Sequence, residues 1–425
     1  MNTFSLDIRT HPSFTSTSDC PPHLLHTLSG WKHNPTFRPA FVRLTENDQE
    51  VAKALEWSQR FQDQSDHLVV LGIGGSSLGG NMLVRSLAGQ GGRAVSFYEN
   101  ICPVQLAALY DQDWSRTTVL AVSKSGETPE TLAQLLTVLD RLGERPRERL
   151  AMITENPRGA LGEIGRALEV PIIPHAPVGG RFSVLSVTGL LPAAFAGADI
   201  EALLAGATRM AQHCLEPDPV DNPALRHALA QAEMAAAGRN MSVFLTYGSR
   251  LETIATWFRQ LWAESLGKID DQGRKHGLTP VEARGVVDQH SQLQLYLDGP
   301  EDKQFTLLFD PTLVTLGATI PGRFAHLPAV TPLAGRTVGE LFTAEYLGTR
   351  DALIGRKAPV REFRLAATDP VALGELIVLL EMETTLVAEC FGVTPFDQPA
   401  VEDGKKRTRA RLESSTPGTL MEENS

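Results

Sequence analysis

Cysteine is scarce in this 425-residue chain, and its four copies are scattered. Cys20, Cys102, Cys214 and Cys390 make no CxxC motif and no Cys/His cluster. A disulfide scaffold and a structural zinc site are set aside on that spacing, and a reducing compartment fits. Long apolar runs are also missing. No stretch approaches the roughly 18 residues of a membrane span, and MNTFSLDIRTHPSFTSTSDC at the start has no basic region leading into an apolar core. The expectation is a cytoplasmic protein with no signal peptide and no membrane contact. A basic excess is lacking too: 39 Lys and Arg stand against 50 Asp and Glu, a net charge of −11. That balance argues against nucleic acid as a partner, and an anionic ligand would need a locally cationic pocket. The histidines show no metal-ligand spacing, so no metal is expected.

What the chain has is length and alternation. At 425 residues it exceeds what one hydrophobic core usually serves, so two domains or packed subdomains are expected. Residues 1–45, rich in Pro, Ser, Thr and His, read as a segment wrapping the surface. Strand and helix signals then alternate: the strands HLVVLGI, AVSFYE, TTVLAVS, LAMIT and PIIP are separated by helical patterns, as in a parallel doubly wound sheet. A second set follows residue 205, with strands at MSVFLTY, QLQLYLDG and QFTLLF. The division is 46–205, 206–397, a helix over 398–413 and a disordered tail over 414–425. The fold class is α/β, with two doubly wound parallel-sheet subdomains (αβα sandwiches) and a C-terminal helix.

Two polar turns follow apolar strands. GIGGSSLGG, Gly72 to Gly80, lets backbone N–H groups approach an anion at a helix N-terminus. Ser77 stands where a dinucleotide fingerprint wants glycine or alanine, and the GK[ST] of a Walker loop is missing; a plain tight turn is the alternative. In VSKSGETPET, Val122 to Thr131, Ser123, Lys124, Ser125 and Thr128 can all reach an anion, while Thr128 and Thr131 could equally be helix caps. Two such turns on one parallel sheet favour a phosphate site at its carboxyl edge.

Four further stretches carry chemistry. In VGGRFSVLSVTGLLP, Arg181 follows two glycines and offers a fixed charge to a developing oxyanion; a surface arginine in a turn is the plain alternative. In QLWAESLGK, helical spacing puts Leu251, Ile254, Phe258, Leu261 and Trp262 on one stripe, with Glu264 just outside it beside Trp257. A carboxylate half desolvated against an indole suits a general base; a surface Glu264–Lys268 pair is the competing reading. His290 in DQHSQLQLYLDGP stands before an alternating run read as a strand. Val401 to Glu413, within TPFDQPAVEDGKKRTRARLE, reads as a basic helix, ordinarily a solvated face, from which one lysine can point inward.

Taken in order, GIGGSSLGG, SKSGETPET, VGGRFSVLS, QLWAESLGK, DQHSQLQLYLDGP and PFDQPAVEDGKK resemble the phosphoglucose isomerase family, in its short bacterial form. The resemblance covers about Leu71 to Lys406. It implies two subdomains of the sugar-isomerase (SIS) type and a homodimer with shared active sites. It also implies reversible conversion of glucose 6-phosphate and fructose 6-phosphate, a step of glycolysis and gluconeogenesis, without a cofactor. Ser76, Ser123, Lys124, Ser125 and Thr128 would hold the phosphate. Arg181 would stabilise the enediolate, Gly75 and Gly180 would allow close approach, and Gln260 would contact the sugar. Glu264 would move the proton, and His290 of the partner subunit and Lys405 would assist ring opening. Spacing from Asp397-Gln398 favours Lys405 over the adjacent Lys406.

Three other readings remain. A dual-specificity phosphoglucose/phosphomannose isomerase would share every motif. A non-catalytic sugar-phosphate-binding regulator would keep the phosphate turns but need not keep Glu264, Arg181, His290 and a lysine together. A nicotinamide-dependent oxidoreductase rests on GIGGSS and Glu99, with Ser77 against it.

Overall fold

The computed structural model describes residues 4–16, 20–89, 91–143 and 146–416. Its first strand, β1 (Asp7–Thr10), joins a sheet completed by the end of the chain. The first parallel sheet comprises β2 (His67–Leu71), β3 (Ala94–Tyr98), β4 (Thr117–Val122), β5 (Leu150–Thr154) and β6 (Ile172–Pro174), in spatial order β3-β2-β4-β5-β6. The second begins with β7 (Met241–Tyr247); after a small hairpin, β8 (Lys268–Ile269) and β9 (Lys275–His276), it takes β10 (Thr279–Gly285), β11 (Lys303–Phe309) and β12 (Val360–Arg364). Its order is β10-β7-β11-β12-β1, with β1 antiparallel on the edge. In both sheets the first parallel strand sits between the second and the third, so each has a topological switch point at its carboxyl edge.

The apolar runs form central strands because both faces are covered. Every residue of β4, β5 and β11 is buried. Side chains alternate between two cores, as a period of two requires. Leu68, Val70, Leu120, Val122, Ala151 and Ile153 face the central core, while Val69, Leu71, Val119, Ala121 and Met152 pack with Leu135, Val138 and Leu161 on the outer side. The central core also holds the helices Ile200–Cys214 and Pro370–Phe391. They approach backbone to backbone: a Cβ on Gly206 would lie 2.0 Å from the Val371 carbonyl oxygen, and one on Gly374 would lie 2.0 Å from that of Leu203.

Three expectations need correction. Residues 1–45 do not merely skirt the surface. β1 pairs with β12, the helix Pro22–His33 buries Leu24, Leu28 and Trp31, and the Leu6 N–H bonds Glu375 Oε2 at 2.7 Å. QLQLYLDG is not a strand but the helix Leu293–Asp298. The alternating leucines also satisfy i, i+4 spacing, and side-chain bonds from Tyr296 to Gln292 (2.8 Å) and from Gln294 to Asp298 (2.9 Å) brace that turn. Five strands went unread: β1, the hairpin strands β8 and β9, β10 and β12. In β12, VREFR, Arg361 and Glu362 are buried, with Arg361 paired to Glu383 at 2.6 Å and Glu362 to His11 at 2.8 Å; these remote partners leave no local apolar pattern. In β10, an edge position tolerates Pro280. The expected tail falls partly outside the described residues; Ser414 still ends the helix Val401–Ser414.

The helix pair yields a stability prediction. Gly206→Ala forces a methyl into the Val371 carbonyl and should lower stability by about 1–3 kcal/mol in equilibrium urea unfolding. Gly348→Ala, with open space around the added carbon, serves as the matched control and should not.

Candidate active site

The site lies at the carboxyl edge of the first sheet, where β2 and β4 are neighbours running in the same direction. After β2 the chain makes a tight turn over Gly74–Ser76 and enters the helix Leu78–Leu87. Gly74 has φ +59°, a left-handed conformation that glycine adopts without strain. A Cβ on Gly75 would fall 2.2 Å from the carbonyl carbon of Gly180, so the two glycine turns touch through bare backbone. Ser183 Oγ ties them by donating to the Gly75 carbonyl at 3.1 Å.

That contact delivers Arg181, which is 2% exposed. A buried guanidinium needs an acceptor for each of its five N–H bonds, and Arg181 has five. Nε donates to Ser265 Oγ at 2.8 Å. One terminal nitrogen reaches Glu264 Oε2 and Gln398 Oε1, each at 3.0 Å. The other reaches the Asp397 carbonyl at 2.9 Å and the Pro395 carbonyl. Burial pulls the guanidinium down from its ordinary value, while Glu264 and Asp397 pull it back up.

Glu264 comes from the helix Glu252–Leu266, which follows β7 of the second sheet. The expected stripe is buried: Leu251, Ile254, Phe258, Leu261 and Trp262, and Trp257 with them. The buried face is wider than one stripe because this helix packs against both halves, touching β10 and the helix Leu78–Leu87. Trp257 Nε1 donates to the Arg181 carbonyl at 3.3 Å. The Glu264 carboxylate itself engages Arg181 and, at 3.1 Å, Gln260 Nε2. Its side chain is 31% exposed, open to a ligand. Gln260 in turn covers Gly74, where a Cβ would meet Nε2 at 2.9 Å. The competing Glu264–Lys268 pair does not form; Lys268 binds Asp397 instead, at 2.6 Å.

The neighbouring turn after β4 is braced internally. Ser123 Oγ and Thr128 Oγ1 share a hydrogen bond of 2.8 Å, and Ser123 Oγ also accepts from Gly126 N at 3.1 Å. Thr128 occupies the N-cap position of the helix Pro129–Val138, yet its hydroxyl makes no cap bond. Ser125 Oγ accepts from Glu127 N at 3.2 Å. Lys124 is half-exposed, 3.4 Å from Glu155. Ser76 lies partly exposed in the adjacent turn.

The structure therefore joins Gly75, Gly180, Arg181, Gln260 and Glu264 in one network, with Ser76, Ser123, Lys124, Ser125 and Thr128 on adjacent turns. His290 and Lys405 stand outside it. His290 is exposed at the end of the short helical turn Val287–His290 rather than before a strand. Lys405 pairs with Glu402 at 2.8 Å on a helix with no buried residue, and Lys406 is exposed as well. Gln398, Ser265 and the carbonyls of Pro395 and Asp397 were missed as Arg181 acceptors. Carbonyls carry no sequence signal, though DQ between two prolines marked a polar turn.

The model of the family described as phosphoglucose isomerase matches residues 41–299. A glucose-6-phosphate isomerase of Rubrobacter xylanophilus is 40% identical over 391 residues, 88% of this chain and 89% of its own. The chain belongs to the phosphoglucose isomerase family. A crystal structure of a hypothetical protein from Thermus thermophilus superposes with a TM-score of 0.82 at 33% identity, covering 96% of this chain and 99% of the other. A glucose-6-phosphate isomerase from Chlamydia trachomatis shares the fold at a TM-score of 0.74 and 22% identity, covering 96% and 82%. The stretch matched to the isomerase family contains both polar turns, Arg181, Gln260, Glu264 and His290, and ends before the 395–398 loop.

The glycine contact is separately testable. Gly75→Ala should destabilise the protein by about 1–3 kcal/mol in urea unfolding, because backbone at 2.2 Å must move. Gly180→Ala, whose added carbon meets nothing nearer than Gly75 Cα at 3.6 Å, should cost far less, and equal losses would sink the account.

Proposed function

We propose that this chain interconverts glucose 6-phosphate and fructose 6-phosphate by ring opening and proton transfer through an enediolate. The observation that carries the reading is a partly exposed carboxylate, Glu264, held 3.0 Å from a fully ligated buried guanidinium, Arg181. Moving a hydrogen between adjacent carbons of a sugar requires a base that takes a proton beside a carbonyl and returns it one carbon away. One carboxylate on one face of the substrate can do both. Negative charge then develops on two neighbouring oxygens, and the Arg181 guanidinium, exchanging its contacts to Glu264 and Gln398 for them, offers a charge already fixed in place. In this reading the substrate oxygens come to the Arg181 edge now shared by Glu264 and Gln398, with Gln260 against the sugar.

The turn after β4, with Ser76 and Lys124, holds the phosphate. Its hydroxyls are oriented before a ligand arrives, and binding energy gathered there fixes the reacting carbons over Glu264. The bare backbone at Gly75 and Gly180 allows close approach. Ring opening falls to His290 of the partner subunit in a homodimer and to Lys405, which must leave Glu402 to take part.

A coupled assay that converts fructose 6-phosphate and reads glucose 6-phosphate tests the reaction; mannose 6-phosphate supplied to the same preparation tests for dual specificity. Glu264→Gln should lower turnover by about 10²–10⁴-fold while a non-isomerisable sugar-alcohol phosphate still binds within about threefold of its normal affinity. Near-normal turnover would remove Glu264 as the base. Ser123→Ala and Thr128→Ala, each losing a charge-assisted hydrogen bond, should raise KM by about tenfold. A loss confined to kcat would mean that this turn does not hold the phosphate.

A further inference from the structure

We propose that Lys268 is a positioning residue for the same reaction, a latch that acts on Arg181 through Asp397; the inference rests on the isomerase reading above. Arg181 takes three of its five acceptors from residues 395–398: the Pro395 and Asp397 carbonyls and Gln398 Oε1. The geometry of the guanidinium is therefore only as fixed as that loop. The loop has little to hold it. Residues 394–397 lie in no helix or strand, and among the described residues their backbone N–H groups make no backbone hydrogen bond. Thr394, Phe396, Asp397 and Gln398 are exposed. The helix that follows, Val401–Ser414, buries nothing and gives no anchorage.

Besides Arg181 itself and the burial of Pro395, two side-chain attachments hold the loop among the described residues. Phe396 packs on Phe182 with ring centroids 5.4 Å apart, and Lys268 seizes Asp397. The Lys268 ammonium bonds Asp397 Oδ1 at 2.6 Å and also the Asp397 carbonyl, the same oxygen that Arg181 uses. The Lys268 side chain is 8% exposed although its partner carboxylate is 62% exposed, so the lysine is committed inward and the loop comes to it. Lys268 starts β8 two residues after the helix carrying Glu264. The latch thereby ties the loop that shapes Arg181 to the element that carries the base, and sets the two reacting groups against each other.

Lys268→Met, Lys268→Arg, Asp397→Asn and the Lys268→Met/Asp397→Asn double variant should be assayed beside the wild type. Lys268→Met should lower kcat by about 10- to 100-fold, the scale of a small misplacement at a reacting centre. KM should stay within about threefold, because the phosphate turns are untouched. The primary isotope effect with substrate deuterated at carbon 2 should rise as proton transfer becomes limiting. Lys268→Arg should recover most of kcat, and the double variant should be little worse than either single one. Asp397→Asn alters an exposed side chain and tests the latch even if Lys268→Met does not fold. Unchanged kcat, an unmoved isotope effect, no rescue by arginine, or multiplicative losses in the double variant would each overturn the latch while leaving the isomerase reading intact. A wild type that does not isomerise would overturn both.

Discussion

A guanidinium withdrawn from water costs several kcal/mol unless each of its protons finds an acceptor, and Arg181 imposes that condition on this fold. Its acceptors come from the helix after β7, through Glu264 and Ser265, and from the loop after the helix Pro370–Phe391. The arginine itself belongs to the chain leaving the first sheet. Ligating it therefore requires both halves of the molecule to be assembled in one register. The glycine pair at 75 and 180 is the geometric counterpart of that requirement, since a Cβ at 75 would collide with the Gly180 carbonyl and the Arg181 nitrogen.

The two sheets divide the labour according to their winding. Both place their first strand between the second and third, and both open a crevice at the carboxyl edge. In the proposed reading the carboxyl edge of the first sheet, with its hydroxyls, backbone N–H groups and Lys124, is the part that holds the anion. The second sheet sends a helix, Glu252–Leu266, across to the first, with a carboxylate on its one accessible face. Because that helix is buried along Leu251, Ile254, Phe258 and Leu261, Glu264 is placed by core packing rather than by a loop, which suits the role of base proposed for it.

Legibility in the sequence followed how local the determining physics was. Buried parallel strands such as β4 and β5 are continuous apolar runs and could be read directly. So could the helix carrying Glu264, whose stripe is its own. Where the deciding partner was remote, reading failed. β12 looks polar because its buried Arg361 and Glu362 have partners, Glu383 and His11, that lie 22 and 351 residues away. QLQLYLDG fits periods of two and four alike, and two local i,i+4 side-chain bonds accompany the helix it forms. The site was legible as a set of residue types in order, but not as a network. That Thr128 spends its hydroxyl on Ser123 rather than on its helix, or that Lys268 turns from Glu264 to Asp397, is a choice between partners that spacing alone leaves equal.

In the proposed reading, two pairings keep binding and chemistry separate within one site. The turn after β4 satisfies itself, Ser123 to Thr128 and Ser125 to Glu127, so it stays ordered whether or not a phosphate is present. The proposed reacting groups are different: Glu264 and Arg181 satisfy each other. A substrate oxygen arriving at Arg181 must replace the acceptor the guanidinium gives up, and a ground-state hydroxyl does so less well than an oxygen bearing negative charge. In the proposed reading, the pairing of Glu264 and Arg181 thus weights the site toward the charged intermediate over the bound sugar, which is the differential binding on which catalysis depends.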